Sequence, residues 1–175
     1  MRALKTKRVD GANPLWKMYE TVRFIKVFKN VIIIEISRYL PSVKWKHFLY
    51  RKGLKMKVGQ KTAFAFKATP DIMYPELITI GKNCVIGYNA TILCHEYLVE
   101  EYRIGRVNIG DNVLVGANAT ILAGVSIGDN AVIASGTIVT KDVPNDMMAY
   151  GNPMELKKGG ESVVGRKFKC HTRKV

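Results

Sequence analysis

VNIGDNVLVGANATILAGVSIGDNAVIASGTIVTKDVPNDMMAYGNP, residues 107–153, is the stretch that decides the fold. A β-branched aliphatic residue returns every six positions, at Ile109, Val115, Ile121, Ile127, Ile133 and Val139. Four residues after each stands a second column of small or apolar residues: Val113, Ala119, Val125, Ala131, Thr137 and Val143. A period of six fits neither the 3.6 of a helix nor a simple alternation held over such a length. It fits short strands of similar length joined by tight corners. "IGDN" occurs at 109–112 and again at 127–130, and Gly, Asn and Asp suit corners because they tolerate positive φ. A chain that turns every six residues can close into a triangular coil. Stacked coils then pair in parallel at about 4.8 Å and form a solenoid whose aliphatic columns are its core.

Working outward, Ile80, Ile86 and Ile92 carry the same column, with Cys84 and Ala90 in the second. The expected organisation is a basic amphipathic helical region at 1–57, a solenoid at 58–156 with a protruding loop at 93–107, and a basic tail at 157–175.

This string resembles the hexapeptide-repeat acyltransferases, and within them the maltose, galactoside and antibiotic O-acetyltransferase branch. The resemblance covers about residues 58–158 and rests on "IGDN", "TKDVP" and "GNP". It implies a left-handed parallel β-helix with three six-residue faces per coil, an all-β solenoid here preceded by an amphipathic helical segment. It also implies a homotrimer that binds acetyl-CoA, as acyl donor, in grooves between neighbouring subunits.

The period fails between Ile92 and Ile109, and a loop leaving a rigid solenoid is where chemistry is expected. That loop holds His95. In the resembled enzymes a His at this place, usually followed by Pro, is the catalytic base; here Glu96 follows. The chemistry asks for little more. Acetyl-CoA is already an activated thioester, so one imidazole that takes the acceptor hydroxyl's proton and returns it to the thiolate suffices. No metal is required. Cys94 as a nucleophile is disfavoured, because neighbours on a strand point to opposite faces. Of the nearby carboxylates Glu96, Glu100 and Glu101, none stands out as orienting His95.

The resemblance further assigns CoA contacts to Ala117, Ser135, Thr140, Lys141 and Lys158, the lysines meeting phosphates. Ser135 and Thr140 can also be read as plain corner residues, though the CoA reading is preferred. The acceptor segment, 66–81, departs from the Asn-rich one of the sugar enzymes, and Asp71 is its one polar contact worth naming. The acceptor is expected to be a small hydroxylated molecule, a sugar or a sugar-containing, lipid-linked or envelope compound.

Met18, Val22, Ile25, Phe28, Ile32, Ile36 and Tyr39 follow helical spacing after an Asn13–Pro14 start signal. Pro41 closes this helix, and Ser42 can cap a second one around Trp45 and Phe48. Two readings compete for residues 14–57: a cap over the first coil, or a peripheral contact with an anionic membrane.

Charge bears on the same choice. The net +14 is unevenly spread: 15 Lys/Arg and three Asp/Glu in 1–57, six and ten in 58–156, seven and one in 157–175. A nucleic-acid-binding core carries its own basic face, and this acidic middle disfavours one. A zinc enzyme on the same coil needs several His ligands, and residues 58–156 contain one His. Neither a leader nor a 20-residue apolar span is read, so the expected setting is cytoplasmic, at most peripheral on the inner membrane face. A non-catalytic scaffold with a membrane-surface helix is the alternative function.

Overall fold

The computed structural model describes residues 2–158. From residue 57 onward the chain visits three parallel sheets in rotation. The first face stacks Lys57–Val58, Ile78–Ile80, Val107–Ile109 and Ser126–Ile127. The second stacks Ala63–Phe64, Val85–Ile86, Leu114–Val115, Val132–Ile133 and Met147–Tyr150. The third stacks Thr69–Pro70, Thr91–Ile92, Thr120–Ile121 and Ile138–Val139. Every contact between successive coils on these faces is parallel, and Ile80, Ile109 and Ile127 lie directly over one another. Both six-residue columns point inward and are buried from end to end. One continuous apolar core results, as the period requires.

The coils are not equally long. Residues that stack across the first two coils are 22 apart in sequence, across the next pair 29, across the third pair 18 and across the last pair 16. Eighteen is three rungs of six. The excess in the first two intervals is inserted after Pro70 and after Ile92, which pair with each other on the third face. Both insertions therefore leave the coil at the same corner, one above the other.

Of the residues expected at the corners, Asn supplies most of the positive φ, and Lys, which was not expected there, supplies more. Asn83, Asn89, Asn112, Asn118 and Asn130 take φ of 54–57°, and Lys55, Lys61 and Lys67 take 60°. The Asn side chains also tie coils together: Asn83 Nδ2 donates to Asn112 Oδ1 at 2.9 Å, and Asn112 Nδ2 to Asn130 Oδ1 at 3.2 Å. Gly124 and Gly136 take positive φ as well, while the glycines that follow the aliphatic column serve close approach. A Cβ on Gly81 would lie 2.3 Å from Asp111 Oδ1 and 2.5 Å from the Gly110 carbonyl oxygen. Gly81→Ala is expected to destabilise the fold by about 1–3 kcal/mol through overpacking against backbone. Urea unfolding checks this; an unchanged midpoint would contradict such tight stacking.

The N-terminal region holds α1 (Met18–Thr21), α2 (Phe24–Tyr39) and α3 (Val43–Phe48), followed by one wider turn at Leu49–Gly53. Ser42 caps α3 as its position suggests, accepting from the Trp45 N–H. Ile34, Tyr50 and Leu54 join the solenoid core, and Tyr50 donates to the Ala68 carbonyl at 3.1 Å. Lys46 is buried and donates to the carbonyls of Phe64 and Ala65 at 3.2 and 3.1 Å; burial lowers its pKa. This region thus covers the first coil.

It does so with a face other than the apolar stripe. The buried residues of α2 are Val27, Asn30, Ile34 and Ser37. Of the apolar stripe read from the sequence, Val22 is buried and Met18 half-buried. Ile25, Phe28, Ile32, Ile36 and Tyr39 face outward, Ile25 at 73% exposure. Position against the coil end, not the count of apolar residues, decides which face turns in.

Residues 4–8 are a further departure. They form a strand, not helix, that pairs antiparallel with Glu101–Gly105. The protruding loop is itself a hairpin of His95–Tyr97 and Glu101–Gly105, so the three strands make a small sheet standing off the coil. Of the expected tail, Lys157 and Lys158 end a strand, Glu155–Lys158, paired antiparallel with Met147–Tyr150. Residues 159–175 lie outside the described residues. No helix among the described residues is long and apolar enough to cross a membrane.

Candidate active site

The two insertions meet at their shared corner. Because Pro70 pairs with Ile92, the residues that follow each are brought side by side. Asp71, whose side chain is 0% exposed, lies against His95, whose side chain is 14% exposed. Asp71 Oδ2 is 2.6 Å from His95 Nδ1 and accepts from the Cys94 N–H at 2.6 Å. Its Oδ1 accepts from the N–H groups of Met73 and Tyr74, each at 2.8 Å. Complete burial works against ionisation of Asp71, but the bond and charge of His95 and the N–H groups of Tyr74 and Cys94 outweigh it. Its carboxyl is held below the usual carboxylate range. An ionised carboxylate only accepts, so Nδ1 carries the proton. Whenever the ring is neutral, Nε2 is its unprotonated nitrogen, the tautomer a general base needs.

Aromatic rings frame the imidazole. Tyr74 and Tyr97 stand edge-on to it at centroid distances of 6.2 and 5.5 Å. Tyr102 stacks on Tyr97 at 4.8 Å and donates to the Tyr74 hydroxyl at 2.6 Å. The Thr21 and Tyr97 hydroxyls are 3.0 Å apart, which ties the end of α1 to the site. A cavity of about 580 Å³ opens beside Tyr74, lined by Leu4, Leu77, Ile104, Gly105 and Arg106 among others. That is room for a small ligand, and it exists because the 4–8 strand walls one side.

The other loop groups are accounted for. Glu96 pairs with Arg2 and Arg103, and Glu101 with Arg103, so neither orients His95. Cys94 is buried, and burial together with the charge of Asp71 pushes its thiol pKa far up, away from a reactive thiolate.

Asp71, expected as an acceptor contact, is sealed in and has both oxygens occupied. Its partner is His95. Ala117 and Ser135 stack in successive coils at the corner that follows the second face; a Cβ on Gly116 would lie 2.5 Å from the Ser135 nitrogen. Thr140 and Lys141 are exposed at the corner that follows the third face, the corner of Asp71 and His95, two coils further along. The two groups therefore flank opposite edges of the third face of this chain. Lys158 is exposed at the end of the last strand. Sequence reading missed Tyr74, Tyr97, Tyr102 and the role of Asp71. No signal named the pair: the 22-residue offset sets Asp71 beside Leu93, two residues short of His95.

A coil of six-residue rungs with a carboxylate–imidazole couple at its interrupted corner defines the class of protein. Residues 77–93 and 106–141 match the family described as "Hexapeptide repeat of succinyl-transferase". The chain is 56% identical over 156 residues to "Putative acetyltransferase YvoF" of Bacillus subtilis (strain 168), covering 89% of this chain and 91% of that one. It is 55% identical over 157 residues to "Putative acetyltransferase SAS0727" of Staphylococcus aureus (strain MSSA476), covering 90% and 98%. The chain belongs to the hexapeptide-repeat acetyltransferases. That family is one of enzymes, and the non-catalytic scaffold alternative falls with its assignment.

Solved structures share the fold at lower identity. A hexapeptide-repeat acetyltransferase of Vibrio cholerae O1 biovar eltor, complexed with acetyl coenzyme A, superposes with a TM-score of 0.64 at 20% identity, covering 75% of this chain and 85% of that one. A galactoside acetyltransferase in complex with coenzyme A gives 0.61 at 24%, covering 98% and 94%.

Proposed function

We propose that this chain transfers an acetyl group from acetyl-CoA to a hydroxyl of a sugar or sugar-containing acceptor, with His95 as general base and Asp71 positioning it. The observation that carries the reading is the 2.6 Å bond between His95 Nδ1 and the buried Asp71 at the break of the coil. Nε2 takes the acceptor's proton as its oxygen attacks the acetyl carbonyl carbon. The carbon–sulfur bond breaks, and the imidazolium returns the proton to the leaving thiolate. Asp71 stabilises the imidazolium and keeps the ring in one tautomer. The aromatic frame keeps water from competing as the acceptor.

The coil is taken as left-handed, in keeping with the family, and the working unit as a homotrimer. Ala117, Ser135, Thr140, Lys141 and Lys158 are assigned to CoA. Their division between two edges of one face suits a cofactor lying between neighbouring subunits, each subunit offering one edge. The test is thiol release from acetyl-CoA against a panel of sugars and sugar-linked lipids, with hydroxylamine treatment of the product. An ester product, cleaved by hydroxylamine, is expected for at least one acceptor. Release no faster than the acceptor-free blank across the panel, or a hydroxylamine-resistant amide, would sink the reading.

A further inference from the structure

The outward face of α2 is too apolar for a surface meant for water. Phe24, Phe28, Ile32, Ile36 and Tyr39 follow one another at spacings of three or four, and each is exposed. Phe24 and Phe28 stack on each other at 5.9 Å, and Tyr19 meets Phe24 edge-on at 5.3 Å. Trp16, at the start of the same segment, is 84% exposed. Contiguous apolar surface of this kind marks an interaction site.

Charge identifies the occupant. Residues 1–57 carry 15 Lys/Arg against three Asp/Glu. Lys17, Arg23, Lys44, Arg51 and Lys52 are exposed and form no ion pair among the described residues. Of the acidic groups nearby, Glu35 pairs with Arg38 and Glu76 with Lys26, which leaves Glu20 on α1 as a single exposed carboxylate against those five cations. A two-fold contact with a second copy of this chain would bring the same unpaired cations against themselves, and like charges repel across an interface. A surface that is apolar below and negative above fits both features at once. Basic residues beside Trp, Phe and Ile on one helix face are the composition of helices that lie in a bilayer interface. At 16 residues α2 is about 24 Å long, shorter than a hydrocarbon core of about 30 Å, and it carries Lys26, Lys29, Glu35 and Arg38. It can lie on a bilayer and not span one.

We infer that α1 and α2 dock this enzyme flat on an anionic lipid bilayer, Phe24, Phe28, Ile32 and Ile36 entering the acyl boundary while the neighbouring Lys and Arg meet the headgroups. The face that holds α2 to the rest of the protein is already committed. Asn30 Nδ2 donates to the Ile72 carbonyl at 2.9 Å, and Lys26 Nζ to Glu76 at 2.7 Å. Both partners belong to the insertion that carries Asp71, so docking leaves the His95 corner about one helix diameter from the lipid surface.

The test is co-sedimentation of the full chain with vesicles of phosphatidylcholine alone and of phosphatidylcholine with 30% phosphatidylglycerol, at low and at high salt, with Trp fluorescence read in parallel. Binding is expected to the anionic vesicles at low salt, with a blue shift from Trp16. It is expected to weaken about tenfold or more at high salt or in the Lys17→Glu/Arg23→Glu variant. Phe28→Ser/Ile32→Ser removes exposed residues only, so its circular dichroism stays unchanged while its binding is lost. No binding to anionic vesicles at low salt overturns the proposal. So does binding that survives Phe28→Ser/Ile32→Ser, or a mass that rises with concentration and falls in that variant with no vesicle binding. None of these outcomes depends on the acyl-transfer reading, which the turnover assay tests separately.

Discussion

His95→Ala lowers kcat for acetyl transfer by about 10²–10⁴-fold and leaves KM for acetyl-CoA nearly unchanged. A general base acts only as the acceptor's proton moves, so its loss falls on the transition state and not on the bound ground state. The magnitude is that of a single positioned proton acceptor; the remaining acceleration comes from holding thioester and hydroxyl together. The imidazole is half-buried at a corner, with no role in the aliphatic columns, so the variant keeps the fold. Steady-state thiol release with circular dichroism alongside makes the comparison. Turnover equal to that of the parent would remove His95 from the mechanism.

Asp71→Asn is the second large effect. The carboxylate accepts four hydrogen bonds, two on each oxygen. An amide has one acceptor oxygen, and its NH2 must then face either the Met73 and Tyr74 N–H groups or the Cys94 N–H and His95. If the NH2 faces Met73 and Tyr74, both of their N–H groups lose their acceptor; if it faces the other way, the Cys94 N–H does, at about 1–3 kcal/mol for each buried group. If the NH2 faces His95, Nδ1 becomes the acceptor and Nε2 carries the proton, the wrong tautomer for a base. A fall in kcat of about 10³-fold or more is expected.

The same carboxyl predicts a pH dependence of stability. Its folded-state pKa is lowered, so its contribution is fully present above the unfolded-state carboxylate value of about 3.9 and is lost as the pH falls through the folded-state value. Melting curves from pH 7 down to pH 3 should therefore fall more steeply in the parent than in Asp71→Asn. Parallel curves would mean that the carboxylate is not held as described. A purely structural residue would change stability alone; the joint loss of kcat marks Asp71 as a positioning group.

Much of this was legible in the chain because a solenoid is repetitive. Each rung of six needs an inward aliphatic residue, a small second residue and a corner, and these demands recur within reach of one another along the sequence. Ile80, Ile109 and Ile127 could be aligned before any fold was known, and they do stack. The break after Ile92 was legible for the same reason, as a failure of period. The corners were only partly so. Asn at positive φ follows the residue's local preference, but Lys55, Lys61 and Lys67 take the same conformation against theirs, held by the coil around them.

What sequence reading could not reach is set by neighbours distant along the chain. LKTKR at 4–8 offers one apolar residue and no alternation, and it becomes a strand only because the hairpin presents an open edge. The spacing of the stripe makes α2 a helix but leaves open which way the stripe faces. A helix packed on a coil end turns in the face that fits there, here one that includes Asn30 and Ser37.

The sequence by itself determined the six-residue rung, the inward columns, the interrupted corner and the presence of His95 in it, because each is a local and repeated requirement. Tertiary structure alone decided that Asp71 is the partner of His95, that tyrosines from two insertions frame it, and that the apolar stripe of α2 is left outside. Asp71 and His95 are 24 residues apart and become neighbours only when unequal insertions bring successive coils into register.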